Sequence, residues 1–217
     1  MSLPHLPEPE NSYVPASTAG AAQPAGESQA AASSGLAANR PVAHDTQRTP
    51  DPQLAAQRAT DEHFMELALA QARAAADADE VPIGAVVVCD GQVVAAAHNR
   101  RETDRDPSAH AEFSALLEAS RALDRWRLTG CTVYVTLEPC LMCAGLMVNS
   151  RIDRCVYGAP DPKGGALGTL YDVSHDPRLN HEFCVTSGVL ADKCAHLLRD
   201  FFRRRRQERK AAKRASS

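Results

Sequence analysis

Hydrophobic and polar positions become regular only from Asp61 onward. Phe64, Leu67, Ala68 and Ala75 recur at the spacing of one helix face, and this helix ends before Asp79. Residues 83–89 and 92–97 are valine-rich and separated by Asp90-Gly91, the dipeptide favoured in a two-residue hairpin turn, so they predict two antiparallel strands. Asp106-Pro107-Ser108 then marks a helix start, because proline suits a first turn. Phe113, Leu116 and Leu117 supply the buried stripe of that helix, which runs to Leu123. Residues 131–137 read as a further strand, Pro139 opens a helix through about Asn149, and 154–158 form a short strand before a glycine-rich loop over 160–168. A strand near 183–186 and a helix from about Leu190 to Arg206 complete the pattern. Short apolar strands connected through helices predict an α/β sheet covered on both faces, with parallel pairs beyond the first hairpin.

Composition divides the chain into three parts. Residues 1–57 hold 8 of the 14 prolines and no cysteine or phenylalanine, too little apolar surface to offset the cost of ordering, and predict a disordered Ala/Pro/Ser-rich tail. An organelle transit peptide is the competing reading, against which stand only two arginines, Arg40 and Arg48. Residues 58–206 form the folded domain, and 207–217 a basic C-terminal tail. No apolar run reaches the roughly 18 residues of a membrane span, and Met1 to Pro9 carry no Lys or Arg ahead of an apolar stretch, which argues against a secretory signal. Seven cysteines, an odd set, fit reduced thiols or metal ligands better than a disulfide framework and predict a cytoplasmic protein.

Two short motifs carry the chemistry: His110-Ala111-Glu112 and, about thirty residues later, Pro139-Cys140-Leu141-Met142-Cys143. Each opens a helix directly after a loop. Cys140 and Cys143 lie three apart and share a helix face, so His110 can close a site from the neighbouring helix, supplying ligand types that zinc prefers. Helix N-termini favour thiolate, the form that binds metal. Three protein ligands leave a fourth position for water, the arrangement of a catalytic site, and Glu112 is placed to move that water's proton. A redox Cys-x-x-Cys pair is one alternative, but such pairs lack an upstream His-x-Glu. A structural zinc is another, and it needs a fourth ligand for which Cys131, read as a core strand residue, is the nearest thiol.

The stretch from about Phe64 to Arg206 resembles the bacterial tRNA-specific adenosine deaminases of the cytidine deaminase superfamily. The segments that carry the likeness are Glu80-Val81-Pro82-Ile83-Gly84-Ala85-Val86, His98-Asn99-Arg100, Asp106 through Glu112, Tyr134 through Cys140, Met142-Cys143-Ala144-Gly145, Leu190-Ala191-Asp192 and Phe201-Phe202-Arg203. The resemblance implies a three-layer α/β/α cytidine-deaminase-like fold with a mixed central sheet of about five strands, assembled as a homodimer with one zinc ion per subunit. It also implies attack of metal-activated water on C6 of a flipped-out adenosine at the wobble position of an arginine-type anticodon stem-loop, leaving inosine, with Glu112 as proton shuttle. Asn99 then corresponds to the residue that contacts the base and Asp161 to one that meets the ribose. A turn asparagine and an ordinary loop aspartate are the plain alternatives. Ile83 and Leu137 fit either the pocket lining or strand packing, and Met142 and Met147 fit the core.

Net charge sharpens the picture. The whole chain carries −3, yet residues 203–217 hold eight basic side chains against Glu208, a net of +7 that leaves −10 for the rest. A concentrated basic helix fits RNA phosphates, and Phe202 with Arg203 can stack unpaired bases. A solvated basic face is the alternative. Two other functions share the motifs: deamination of a free base such as cytosine or guanine, and a noncatalytic RNA-binding protein stabilised by zinc.

Overall fold

The computed structural model describes residues 51–216, so the predicted disorder of residues 1–50 lies outside the described residues. Helix α1 spans Pro52–Asp77 and begins inside the stretch expected to be tail: the Asp51 carboxylate caps it by accepting from Gln53 N–H at 2.9 Å, and Pro52 occupies the first turn. The chain continues through β1 (Gly84–Cys89), β2 (Gln92–His98), α2 (Arg101–Asp104), α3 (Ala111–Ala122), β3 (Cys131–Leu137), α4 (Leu141–Ser150), β4 (Arg154–Ala159), β5 (Cys184–Thr186) and α5 (Ala191–Ala215). Asp90 and Gly91 both hold positive φ, the geometry of the expected hairpin turn.

The five strands lie in the order β2-β1-β3-β4-β5. β3 pairs with β4 and β4 with β5 in parallel, but β1 pairs with β3 antiparallel, so only part of the expectation of parallel pairs holds. The helical connection from β2 does make β3 parallel to β2, yet β1 lies between the two. Alternate residues of β1 show the layering. Ala85 and Val87 join the core under α3 and α4, whereas Val86 and Val88 join Phe64, Met65, Ala68 and Leu69 of α1 and Cys194 of α5. The result is the expected three-layer α/β/α arrangement.

Three local readings differ. Asp106 starts no helix, because its carboxylate accepts from Ser108 N–H at 2.8 Å and Oγ–H at 2.7 Å, a turn that competes with helix and delays α3 to Ala111. The buried stripe of α3 is Ala111, Ala115, Leu116 and Ala119, with Leu117 exposed; Leu67 of α1 and Met142 of α4 are likewise exposed, while Met147 is core. Finally, α5 extends to Ala215, so most of the basic tail is helix: it lacks Gly and Pro, and Glu208 stands one turn beyond Arg204 and Arg205.

One buried polar network ties the layers together. Asp61 of α1, 3% exposed, accepts both Nη1–H and Nη2–H of Arg154 at 2.8 and 2.7 Å and the Tyr134 hydroxyl at 3.0 Å, while Arg154 Nη2–H also reaches Thr186 Oγ1 at 2.8 Å. A single helix residue thereby holds β3, β4 and, through Arg154, β5.

Candidate functional site

Both motifs stand at helix N-termini, as their spacing predicts. His110 is the residue before α3 and Cys140 the residue before α4, each in extended backbone, so their side chains meet where two sets of free helical N–H groups converge. His110 Nδ1 lies 3.7 Å from Cys140 Sγ and 3.6 Å from Cys143 Sγ, and one donor atom from each of the three residues falls within 4.8 Å of the others. A tetrahedral centre with bonds of about 2.1 Å to nitrogen and about 2.3 Å to sulfur spans N···S separations of about 3.6 Å, so the three donors can hold a metal ion without rearrangement.

The protons of this cluster are unevenly held. The Cys143 thiol donates to Cys140, which with the His110 contact pulls the Cys140 thiol down to about 3. The same hydrogen bond, followed by burial, pushes Cys143 far upward, and the hydrogen bond to Cys140 raises His110. Metal binds thiolate, so filling the site releases thiol protons. Glu112, in the first turn of α3, is 4% exposed and burial raises its pKa. Its Oε2 is buried without a hydrogen-bond partner among the described residues, the mark of a group kept for something outside the fold.

Three of the four predicted substrate contacts come together. Asp161, Phe202 and Arg203 line one cleft of about 910 Å³, with Leu137 at the end of β3 and Arg199 and Arg206 of α5. Phe202 is 45% exposed, whereas Phe201 is packed in the core, which divides the aromatic pair into one structural and one available ring. Asn99 lies outside that lining. It follows β2, is 3% exposed and donates from Nδ2 to Glu80 Oε2 at 3.0 Å; the next residue, Arg100, donates its N–H to Ala109 O at 3.0 Å, beside His110. A carboxylate only accepts, so Glu80 fixes the amide with its oxygen turned away from Glu80. Cys131, Cys155 and Cys194 are buried core thiols, and Cys184 is exposed.

Sequence reasoning gave no role to the buried carboxylates Glu80 and Glu138. Glu138 joins β3 to the Pro139-Cys140 turn and, among the described residues, its carboxylate accepts only from the loop after β4. The available signal was an acidic residue directly after an apolar strand, at a place where the chain has no reason to be polar.

The α5 charges separate into two groups. Arg204 and Arg205 both reach Asp79 just beyond α1, and Arg203 pairs with Asp200. Arg206, Arg209 and Lys210 have no carboxylate partner among the described residues. The basic surface is therefore narrower than the net charge of the segment.

Comparison with known proteins places this geometry. The family model described as MafB19-like deaminase matches residues 59–206. A tRNA-specific adenosine deaminase of Bacillus subtilis is 50% identical over 153 residues, covering 70% of this chain and 95% of the relative, and that of Agrobacterium fabrum is 49% identical over 144 residues, covering 66% and 95%. A solved structure from work on A-to-I editing by tRNA:A34 deaminases at the wobble position of transfer RNA is 48% identical, with a TM-score of 0.61, covering 63% of this chain and 99% of that one. A guanine deaminase from Nitrosomonas europaea matches at 30% identity and a TM-score of 0.55, covering 64% and 83%. On half-identical sequence across nearly the full length of these relatives, the chain belongs to the tRNA-specific adenosine deaminase family.

Proposed function

We propose that this protein is a hydrolase that deaminates adenosine to inosine at the wobble position of a tRNA anticodon loop, using one zinc ion per subunit. The observation that carries the reading is the buried, unpartnered Glu112 Oε2 beside a His-Cys-Cys donor set of tetrahedral spacing. His110, Cys140 and Cys143 would hold the zinc, which would supply Lewis-acid activation of water. Glu112 takes a proton from the water that adds to C6 and delivers it to N1 of the adenine. It then takes the second proton and gives it to the departing ammonia, so that C6–N breaks as the C6 carbonyl of inosine forms. Its burial, which raises its pKa, suits a group that must hold a proton between those transfers.

Asn99, with its oxygen freed by Glu80, contacts the base, and Asp161 contacts the ribose. Phe202 offers a stacking face and Arg203 a cation at the cleft, and a cleft walled by Arg199, Arg203 and Arg206 suits an RNA loop better than a small free base. The similarity to a guanine deaminase supports the second reading, a free-base enzyme with the same metal chemistry. Exposed Leu141 and Met142 follow Cys140, whose backbone bridges to Gly165, and the backbone N–H groups of exposed Leu170 and Tyr171 donate to that same glycine. This apolar rim supports a homodimer whose subunits both touch the RNA. We take the substrate to be an arginine-type tRNA and the compartment the cytoplasm; no helix of the described residues is long and apolar enough to cross a membrane. We further propose that residues 58–206 form the deaminase domain, with the first turns of α1 from Pro52 running ahead of it.

Inosine formation in an arginine-type anticodon stem-loop, measured with and without a chelator, tests the reading. Chelator-sensitive inosine is expected. Inert RNA together with turnover of free guanine or cytosine would transfer the reading to the free-base enzymes.

A further inference from the structure

We infer that Glu138 is a positioning residue: it clamps the loop that carries Asp161 to the metal-binding turn and so sets the shape of the RNA cleft. The inference rests on the proposed tRNA reading. Glu138 is 2% exposed, yet its partners among the described residues are all uncharged. Its Oε1 accepts from Leu167 N–H at 3.1 Å and Thr169 N–H at 3.0 Å; its Oε2 accepts from Asp161 N–H at 3.0 Å and from the Thr169 hydroxyl. Four donors meet the roughly four acceptor sites of a carboxylate, and all four come from the one loop. A neutral amide cannot replace it, because an NH2 group would face N–H donors.

The backbone repeats the clamp on either side. Glu138 N–H donates to Ala159 O at 2.8 Å, Ala166 N–H donates to Pro139 O at 2.9 Å, and Cys140 bridges to Gly165. A Cβ on Gly165 would stand 2.4 Å from the Glu138 carboxyl carbon, so the loop closes on the carboxylate only because that position is glycine. Leu137 before Glu138 lines the cleft, as do Pro160, Asp161 and Lys163 of the loop, while Cys140 belongs to the metal cluster. One side chain therefore ties the loop that lines the cleft to the turn that carries Cys140.

The test uses the full-length, zinc-loaded protein with an anticodon stem-loop. Glu138→Gln is expected to retain its metal and raise KM for the stem-loop about tenfold or more, the cost of leaving buried donors unpaired, with kcat much less changed. Amide hydrogen exchange at Asp161, Leu167 and Thr169 should speed up in the same variant. Thr169→Val should give a smaller rise in KM, and Thr169→Ser should restore it. A metal-replete Glu138→Gln with unchanged KM, or with kcat lost and KM kept, overturns the inference. If that variant does not fold, an unchanged KM in Thr169→Val overturns it instead. A wild-type protein that makes no inosine defeats the functional reading alone, since amide exchange still decides whether Glu138 holds the loop.

Discussion

The division of charges along α5 makes a quantitative prediction about RNA binding. Arg204 and Arg205 are held by Asp79, whereas Arg206, Arg209 and Lys210 have no carboxylate partner among the described residues, and Arg206 lines the cleft. Each phosphate neutralised contributes about 0.7 to 0.9 to the slope of log affinity against log salt. Replacing Arg206, Arg209 and Lys210 together with Ala should therefore lower that slope by about 2 to 3. Between 50 and 150 mM salt, the wild-type affinity should fall about tenfold more than that of the triple variant. Replacing Arg204 and Arg205 removes exposed ion pairs worth about 0 to 1 kcal/mol each and should change the slope by less than about one. Fluorescence anisotropy of a labelled anticodon stem-loop at several KCl concentrations measures both. Equal slope changes in the two variants would refute the division, and no change in either would remove α5 from the RNA interface.

Other expectations concern stability and pH. Asp61→Ala leaves the Arg154 guanidinium, 20% exposed, without its carboxylate and removes the acceptor of the Tyr134 hydroxyl, a loss of about 3 to 5 kcal/mol in urea unfolding; a loss below about 1 kcal/mol would deny the network its role. Burial pushes the Cys131 and Cys194 thiols up to about 12 from 9.0. An unfolded thiol releases its proton near pH 9 while the folded one keeps it, so stability is full below about pH 9 and declines toward about 12, by about 1.4 kcal/mol per pH unit for each thiol. Denaturation midpoints across that range should fall, and Cys131→Ala should flatten the decline.

What the sequence discloses follows from how local each cause is. His110, Cys140 and Cys143 are legible because ligand type and spacing within one helical turn carry the signal. The hairpin at Asp90-Gly91 is legible for the same reason. The antiparallel pairing of β1 with β3 is not, since a helical connection sets strand direction but not which strand lies between. Asp51-Pro52 was a readable helix start obscured by the proline-rich composition around it, and Asp106-Pro107 resembled one but spends its carboxylate on Ser108. Glu80 and Glu138 look like ordinary acidic residues until partners 19 to 31 residues away close around them. Likewise nothing in the arginine run says that Asp79 takes two of its members.

A proton-moving role for Glu112, in a metal site it does not build, carries the proposed function. Its most direct test is a paired measurement on Glu112→Ala: zinc per subunit, and inosine at the wobble position of the stem-loop. Zinc equal to wild type with no detectable inosine is expected, whereas inosine formation at the wild-type rate would remove Glu112 from the reaction.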